Sequence, residues 1–399
     1  MTKPRIFIYG YHGWKNIGAE ARLVSMIENI KARVPDAHIT ASTSHPKNLD
    51  YLTIADERAY VNPAFHKRRA AKLIADSDLM ILAEGNMLTD EFSPLMVEIF
   101  THAMEEAARQ RVPAVGLALD SGTLAPQRHA RVTSALDGLD LLTVRIDGAA
   151  AALKQLGVTR PIEVTADCAL SMSPPTPELC EAMAAQFGFG SARVHAVAPV
   201  DFHMWPAKIS LIGRREEYLR WPIKATWADG GREKTAQLVS DWARYVRYLL
   251  ADRETVVPLV VMDPADLRIV EQLRSELAVP DRTPIVDGAD LTPHQMSATM
   301  FWFDTVTTSR YHALVLPLAH SVPFIALGHD TRTRFIADQF GASDAFIRYD
   351  DPQRVEKMIA AHKTVLSDIE QRRTLISAGV RELRQADQRN YDLVAEMLS

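Results

Sequence analysis

A chain of 399 residues exceeds what one hydrophobic core usually organises, which predicts two domains of nearly equal size. Hydrophobic residues at 47% and charged residues at 24% exclude wholesale disorder and fibrous rods. Lys+Arg 45 against Asp+Glu 50 leaves a net charge of -5 without a long basic block, so no nucleic-acid partner is expected and an anionic ligand must be met locally.

Two cysteines, Cys168 and Cys180, are too few for a disulfide framework or a four-cysteine zinc site and suit a reducing compartment. No run approaches the roughly 18 apolar residues of a membrane helix, and a cytoplasmic location is expected.

In chain order, Ile6 to Tyr9 reads as a strand, Gly10 to Gly18 as a turn, and Leu23, Met26, Ile27, Ile30 and Val34 fall at helical spacing. The rhythm repeats with a strand at Leu79 to Leu82, a helix carrying Leu95, Met96, Ile99, Phe100 and Met104, strands at Ala114 to Ala118 and Leu141 to Val144, and an Ala-rich helix ending near Gly157. Such alternation predicts a mostly parallel sheet covered by helices. Three prolines within Ser171 to Pro177 mark a linker, dividing an N-terminal domain at 1–175 from a C-terminal domain at 176–399.

Beyond the linker, apolar runs at Val194 to Val200, Val256 to Val261 and Phe324 to Leu327 predict strands, and Leu238, Trp242, Tyr245, Val246 and Leu249 predict a helix. Residues 201–232 lack periodicity and hold Trp205, Trp221 and Trp227 beside Lys208, Arg214, Arg215 and Lys224; either they roof a sugar-binding cleft or the tryptophans plug a small core. The tail from Ser367 reads as helix, able to cross back over the first domain.

Ligands of open parallel sheets bind beyond the carboxyl ends of the strands. The loop Tyr11 to Glu20 lies at such a place but matches neither a dinucleotide fingerprint nor a P-loop. Residues 83–91 gather Glu84, Asp90 and Glu91 around Gly85; a carboxylate there serves either to deprotonate a sugar hydroxyl or to cap a helix. Asp304 to Ala319 runs from a strand into a helix beginning with Arg310 and His312. Two cations there oppose the helix dipole unless an anion lies between them. Arg145, Arg332 and Arg334 also follow strands.

The run Tyr9 to Glu20, the stretch 84–91, Leu142 to Asp147 with Thr165 to Ala169, and above all Ser309-Arg310-Tyr311-His312 followed by Ser321-Val322-Pro323 and His329-Asp330 resemble the polysaccharide pyruvyl transferase family. The family's Arg-Leu-His reads Arg310-Tyr311-His312 here, and its Asp-Pro-Lys reads Asp330-Thr331-Arg332. Its Gly-Asn-x-Gly-Asp-Glu reads Lys15-Asn16-Ile17-Gly18-Ala19-Glu20, and its Gly-Gly-Gly reads Ala83-Glu84-Gly85.

The resemblance implies an α/β, GT-B-like fold of two Rossmann-like domains with a cleft between them, phosphoenolpyruvate as donor, and a sugar or glycolipid acceptor that becomes a cyclic ketal. It implies His312 as general acid, with Arg310, Arg145 and Arg332 as donor-binding cations. Asn16, Gly18, Glu20, Gly85 and Glu91 are expected to bind substrate, and Glu84, Asp90, Glu91 or Asp120 to orient or deprotonate the acceptor. No cofactor and no metal are expected, since no Asp-x-Asp pair ends a convincing strand. A lipid-linked acceptor would add peripheral membrane contact. Two alternatives stay open: a GT-B glycosyltransferase that uses a nucleotide sugar, and a saccharide-binding relative without turnover.

Overall fold

The computed structural model describes residues 3–61, 67–83, 85, 88–90, 94–204, 208–209, 218–220, 223–224, 230–328 and 331–398, with the backbone alone at 94, 208–209, 218–220, 223–224 and 331. The chain divides into two units, one of residues 1–15, 19–173 and 383–399, the other of 16–18 and 174–382.

Unit 1 is built on β1 (Arg5–Tyr9), β2 (His38–Thr43), β3 (Glu57–Tyr60), β4 (Leu79–Leu82), β5 (Ala114–Leu119), β6 (Leu141–Val144) and β7 (Glu163–Val164). All neighbours run parallel in the order β3-β2-β1-β4-β5-β6-β7. Every residue of β4 and β5 is buried, which is why these strands read as unbroken apolar runs. The strand order reverses between β1 and β4, so the connections after them diverge toward opposite faces and leave room at the carboxyl edge.

β2 is hidden in the sequence because His-Ile-Thr-Ala-Ser-Thr lacks a hydrophobic signature. Its hydroxyls are satisfied inside: Ser42 Oγ accepts from the Gly10 amide at 3.0 Å and Thr43 Oγ1 donates to the His12 carbonyl at 3.3 Å.

The remaining strands are β8 (Arg193–Ala198), the short β9 (Lys208–Ile209), β10 (Tyr218–Arg220) and β11 (Ile223–Lys224), then β12 (Thr255–Val256), β13 (Leu259–Val261), β14 (Ile285–Asp287), β15 (Thr305–Thr308), β16 (Phe324–Gly328) and β17 (Phe346–Arg348). β9 to β11 form a separate antiparallel ribbon inside the aperiodic stretch 201–232. The others form a parallel sheet in the order β14-β13-β8-β15-β16-β17, with β12 beside β8. This repeats the reversal of unit 1, here between β8 and β15. Pro258, which has no N–H to give, splits the apolar run 256–261 into β12 and β13, while its carbonyl accepts from Val197 at 2.9 Å. The helix Gly231–Leu249 buries Leu238, Trp242, Tyr245, Val246 and Leu249, the predicted stripe.

The boundary after Ser173 lies two residues before the expected one. The final helix, Ile369–Met397, passes to unit 1 from Leu383 onward. There Asn390 is fully buried, and its Oδ1 accepts from the Thr143 and Thr165 hydroxyls at 2.7 and 3.0 Å. These bonds satisfy the buried amide oxygen of Asn390.

Candidate functional site

The carboxyl edge of the second sheet carries Asn16, Gly18, Arg310, His312 and Arg332 of the predicted residues. β15 ends in a turn clamped by one hydroxyl: the Arg310 amide donates to Thr308 Oγ1 at 2.8 Å, and that hydroxyl donates back to the Arg310 carbonyl at 3.1 Å. The helix His312–Leu318 then begins. It has only seven residues, so side chains rather than a helix dipole set the local electrostatics.

Arg310 grips Asp266 as a fork, with Nε to Oδ2 at 2.7 Å and Nη2 to Oδ1 at 2.5 Å. The Asp266 side chain is 2% exposed and that of Arg310 18%. Burial pushes the Asp266 carboxyl up to about 6, against the opposing pull of Arg310. This partner answers the electrostatic puzzle of a cation near a helix start, since a carboxylate of the same unit supplies the negative charge.

Asp266 ends the turn Pro264–Asp266, which Asp263 opens by accepting from the Ala265 amide at 2.9 Å. Asn16 ties into it, its Nδ2 donating to Asp263 Oδ2 at 2.7 Å, and the Ile17 amide donates to the Met262 carbonyl at 3.0 Å.

Residues 16–18 thereby belong to this edge, and Gly18 lies against His312. A Cβ at Gly18 would stand 2.3 Å from His312 Nδ1, so only glycine leaves space for the imidazole. The Tyr311 ring meets the His312 ring edge-on at 5.2 Å, and the Arg332 guanidinium lies 5.7 Å from the Tyr311 centroid. Asn16, Gly18, Arg310, His312 and Arg332, separated widely in sequence, are thus assembled on one edge with Asp263, Asp266 and Tyr311.

Unit 1 holds a different arrangement. Arg145, 3% exposed, donates through Nε and Nη2 to Asp120 Oδ2 at 3.1 and 2.7 Å and through Nη1 to Asp167 Oδ2 at 2.6 Å. The other Asp120 oxygen accepts from the Ser121 amide at 2.8 Å. A bulge in β5 delivers Asp120: the register against β6 shifts between Gly116 and Leu119, and Ala118 takes φ 48.

Partners hold this strained residue in place. Its amide donates to Thr143 Oγ1 at 2.7 Å, and Arg22 Nη2 donates to the Leu117 and Ala118 carbonyls at 3.2 Å each. Gly85 is pressed against this network, since a Cβ there would lie 2.3 Å from Arg22 Nη1 and 2.8 Å from Arg145 Nη1.

Asp120 and Arg145 therefore share an internal ion pair. Asp90 lies near the start of the helix Pro126–Asp137, its Oδ2 accepting from the amide of Ala125, the residue just before that helix, at 2.6 Å and from Arg128 at 3.2 Å. Glu20 is buried, accepting from the Lys15 amide at 3.0 Å and the Tyr51 hydroxyl at 2.7 Å. That carboxylate raises the Tyr51 hydroxyl further after burial, its larger cause.

Glu84, Glu91, Trp205, Trp221 and Trp227 lie outside the described residues.

Asp263 and Asp266 were not among the expected residues, although Asp-Pro-Ala-Asp directly follows an apolar run and a strand end is where ligand-binding side chains gather. His12 carried no expected role either. That ring is buried, donates from Nδ1 to the Ser42 carbonyl at 3.2 Å, and is pushed down to about 4 chiefly by burial, so it is neutral near pH 7.

Among the described residues, no helix is long and apolar enough to cross a membrane. In fold, the chain is similar to the UDP-GlcNAc 2-epimerase of Neisseria meningitidis bound to UDP-GlcNAc, at TM-score 0.62 and 9% identity over 99% of each chain. It is also similar to a glycosyltransferase of Rickettsia africae, at TM-score 0.59 and 11% identity over 100% of each chain, and to the UDP-GlcNAc 2-epimerase of Methanocaldococcus jannaschii, at 0.57 and 14% over 91% of this chain and 92% of that one. These likenesses establish the GT-B-like class of two Rossmann-like folds. No curated protein matches the sequence. The model of the polysaccharide pyruvyl transferase family matches residues 16–331, which take in Asn16, Gly18, Arg310 and His312, and the chain belongs to that family of transferases.

Proposed function

We propose that the chain moves pyruvate from phosphoenolpyruvate to two hydroxyls of one sugar, on a polysaccharide, glycolipid or saccharide precursor, leaving a cyclic ketal and phosphate. Protonation of the donor's methylene carbon by His312 makes the enol carbon electrophilic. One acceptor oxygen bonds to that carbon, the C–O bond to phosphate breaks, and the second acceptor oxygen closes the ketal. Of the two hydroxyl protons, one replaces the proton given by His312 and the other leaves on phosphate. Arg310 and Arg332 hold the phosphate and carboxylate of the donor.

The observation that carries this reading is the seating of His312 on Gly18 beside Arg310 and within the Tyr311–Arg332 group. A general acid on the edge that also carries Arg310 and Arg332 suits a small substrate with two acidic groups. Family membership supports the same chemistry.

Phosphate release from phosphoenolpyruvate, measured against a panel of sugar acceptors, tests it. His312→Ala should lower the rate by a factor on the order of 100 or more. Full release by that variant removes His312 from the reaction. The nucleotide-sugar alternative draws on the UDP-GlcNAc bound by the fold relative from N. meningitidis. Thermal melting distinguishes them, because a ligand that binds only the folded state raises the midpoint: phosphoenolpyruvate should do so, and a shift with UDP-GlcNAc alone would favour glycosyl transfer.

A further inference from the structure

We propose that Tyr311 is a positioning residue that sets the distance between the proton-donating histidine and one donor-binding arginine, acting through the face of its ring. The inference rests on the pyruvyl-transfer reading above and adds to it a residue that acts through its ring face rather than through its hydroxyl.

Tyr311 stands between Arg310 and His312 in sequence, yet the three side chains are held differently. Arg310 is fixed by the carboxylate of Asp266, and His312 by close packing on Gly18. Tyr311 is 7% exposed, with αR backbone at φ -57 and ψ -50, so its ring is anchored by burial and by the start of the helix His312–Leu318. The His312 ring leans on it edge-on at 5.2 Å and 79°, and the Arg332 guanidinium lies over it at 5.7 Å.

Arg332 belongs to another element, the helix Thr331–Gln339 that follows β16. The aromatic ring is therefore a common support for two groups delivered by different strands. A guanidinium attracted to a ring face is positioned by the ring quadrupole, and this contact uses no N–H of the kind that grips phosphate or carboxylate. An aliphatic side chain at 311 could fill the volume without that attraction.

The test replaces Tyr311 with phenylalanine and then with phenylalanines of increasing ring fluorination, which drain the negative face while keeping the shape nearly constant. Tyr311→Phe should hold KM for phosphoenolpyruvate within about twofold. The fluorinated series should raise KM stepwise, to about tenfold for the fully fluorinated ring, as expected for loss of a desolvated cation–π contact. The pH profile of kcat/KM should keep its shape, since His312 retains its packing.

In an Arg332→Met background the same series should be flat. A KM independent of fluorination in the parent enzyme, or an equal dependence with Arg332 removed, overturns the role given to Tyr311. Calorimetric affinity for phosphoenolpyruvate across the same series separates the two levels of argument. A fluorination-dependent affinity without phosphate release would sink pyruvyl transfer and keep the ring's role, whereas absence of any binding by the parent chain would overturn both.

Discussion

Gly18 is the most exposed to test of the single residues at the His312 edge. Alanine favours a helix over glycine by about 1 kcal/mol, which partly offsets the roughly 1–3 kcal/mol that crowding His312 costs, so Gly18→Ala should fold with a modestly lowered melting temperature. Its methyl would enter the space of His312 Nδ1 and displace the imidazole. Misplacing a reacting group by about 1 Å costs on the order of 100-fold, and phosphate release should fall by about that factor. A folded variant that reacts at the parental rate would show that the ring's position is immaterial.

Arg145 invites the opposite result. Asp120 and Asp167 stay buried when it is truncated, so Arg145→Ala should destabilise the fold by about 3–5 kcal/mol, measurable by urea unfolding. His312 and Arg310 were readable in sequence because their residue types are unusual at a helix start. The partner that neutralises Arg310 was not, because Asp266 lies 44 residues away.

Among the elements, the helix Arg354–Ser367 carries a buried titratable group that no catalytic reading uses. His362 meets His195 of β8 edge-on at 4.7 Å and lies 3.4 Å from the Tyr245 hydroxyl, which in turn bonds Thr307 of β15 at 2.7 Å. Tyr248 also faces it at 6.1 Å. Burial, with His195 adding to it, pushes His362 down to about 3. Below its ordinary value of 6.5 the unfolded chain takes up a proton that the folded chain refuses, so stability is lost as pH falls from 6.5 toward 3. The slope is up to about 1.4 kcal/mol per pH unit. His362→Gln should therefore lose about 2 kcal/mol less than the parent between pH 7 and pH 5, as read by urea unfolding at each pH. Identical losses would place the sensitivity elsewhere.

The β5 bulge belongs to this scale as well. Ala114 to Leu119 reads as a plain strand, and the turn of Ala118 to φ 48 leaves no mark in its composition. Thr143 and the Arg22 side chain impose it.

For the whole molecule, we propose catalysis without a divalent ion, with guanidinium groups meeting the donor's negative charge. Phosphate release should persist in a chelator, and a loss restored by magnesium would refute this.

The amino-acid sequence by itself determined the α/β class, the strands that are apolar throughout, and the motifs that carry family membership, because these depend on periodicity and on short-range residue order. Tertiary structure alone decided which charges answer which: Asp266 to Arg310, Asp120 to Arg145, Gly18 beneath His312 and Tyr311 beneath Arg332. Each pairing is made when distant strands end on a common edge. Burial then fixes its strength, and neither is encoded in the spacing of residues along the chain.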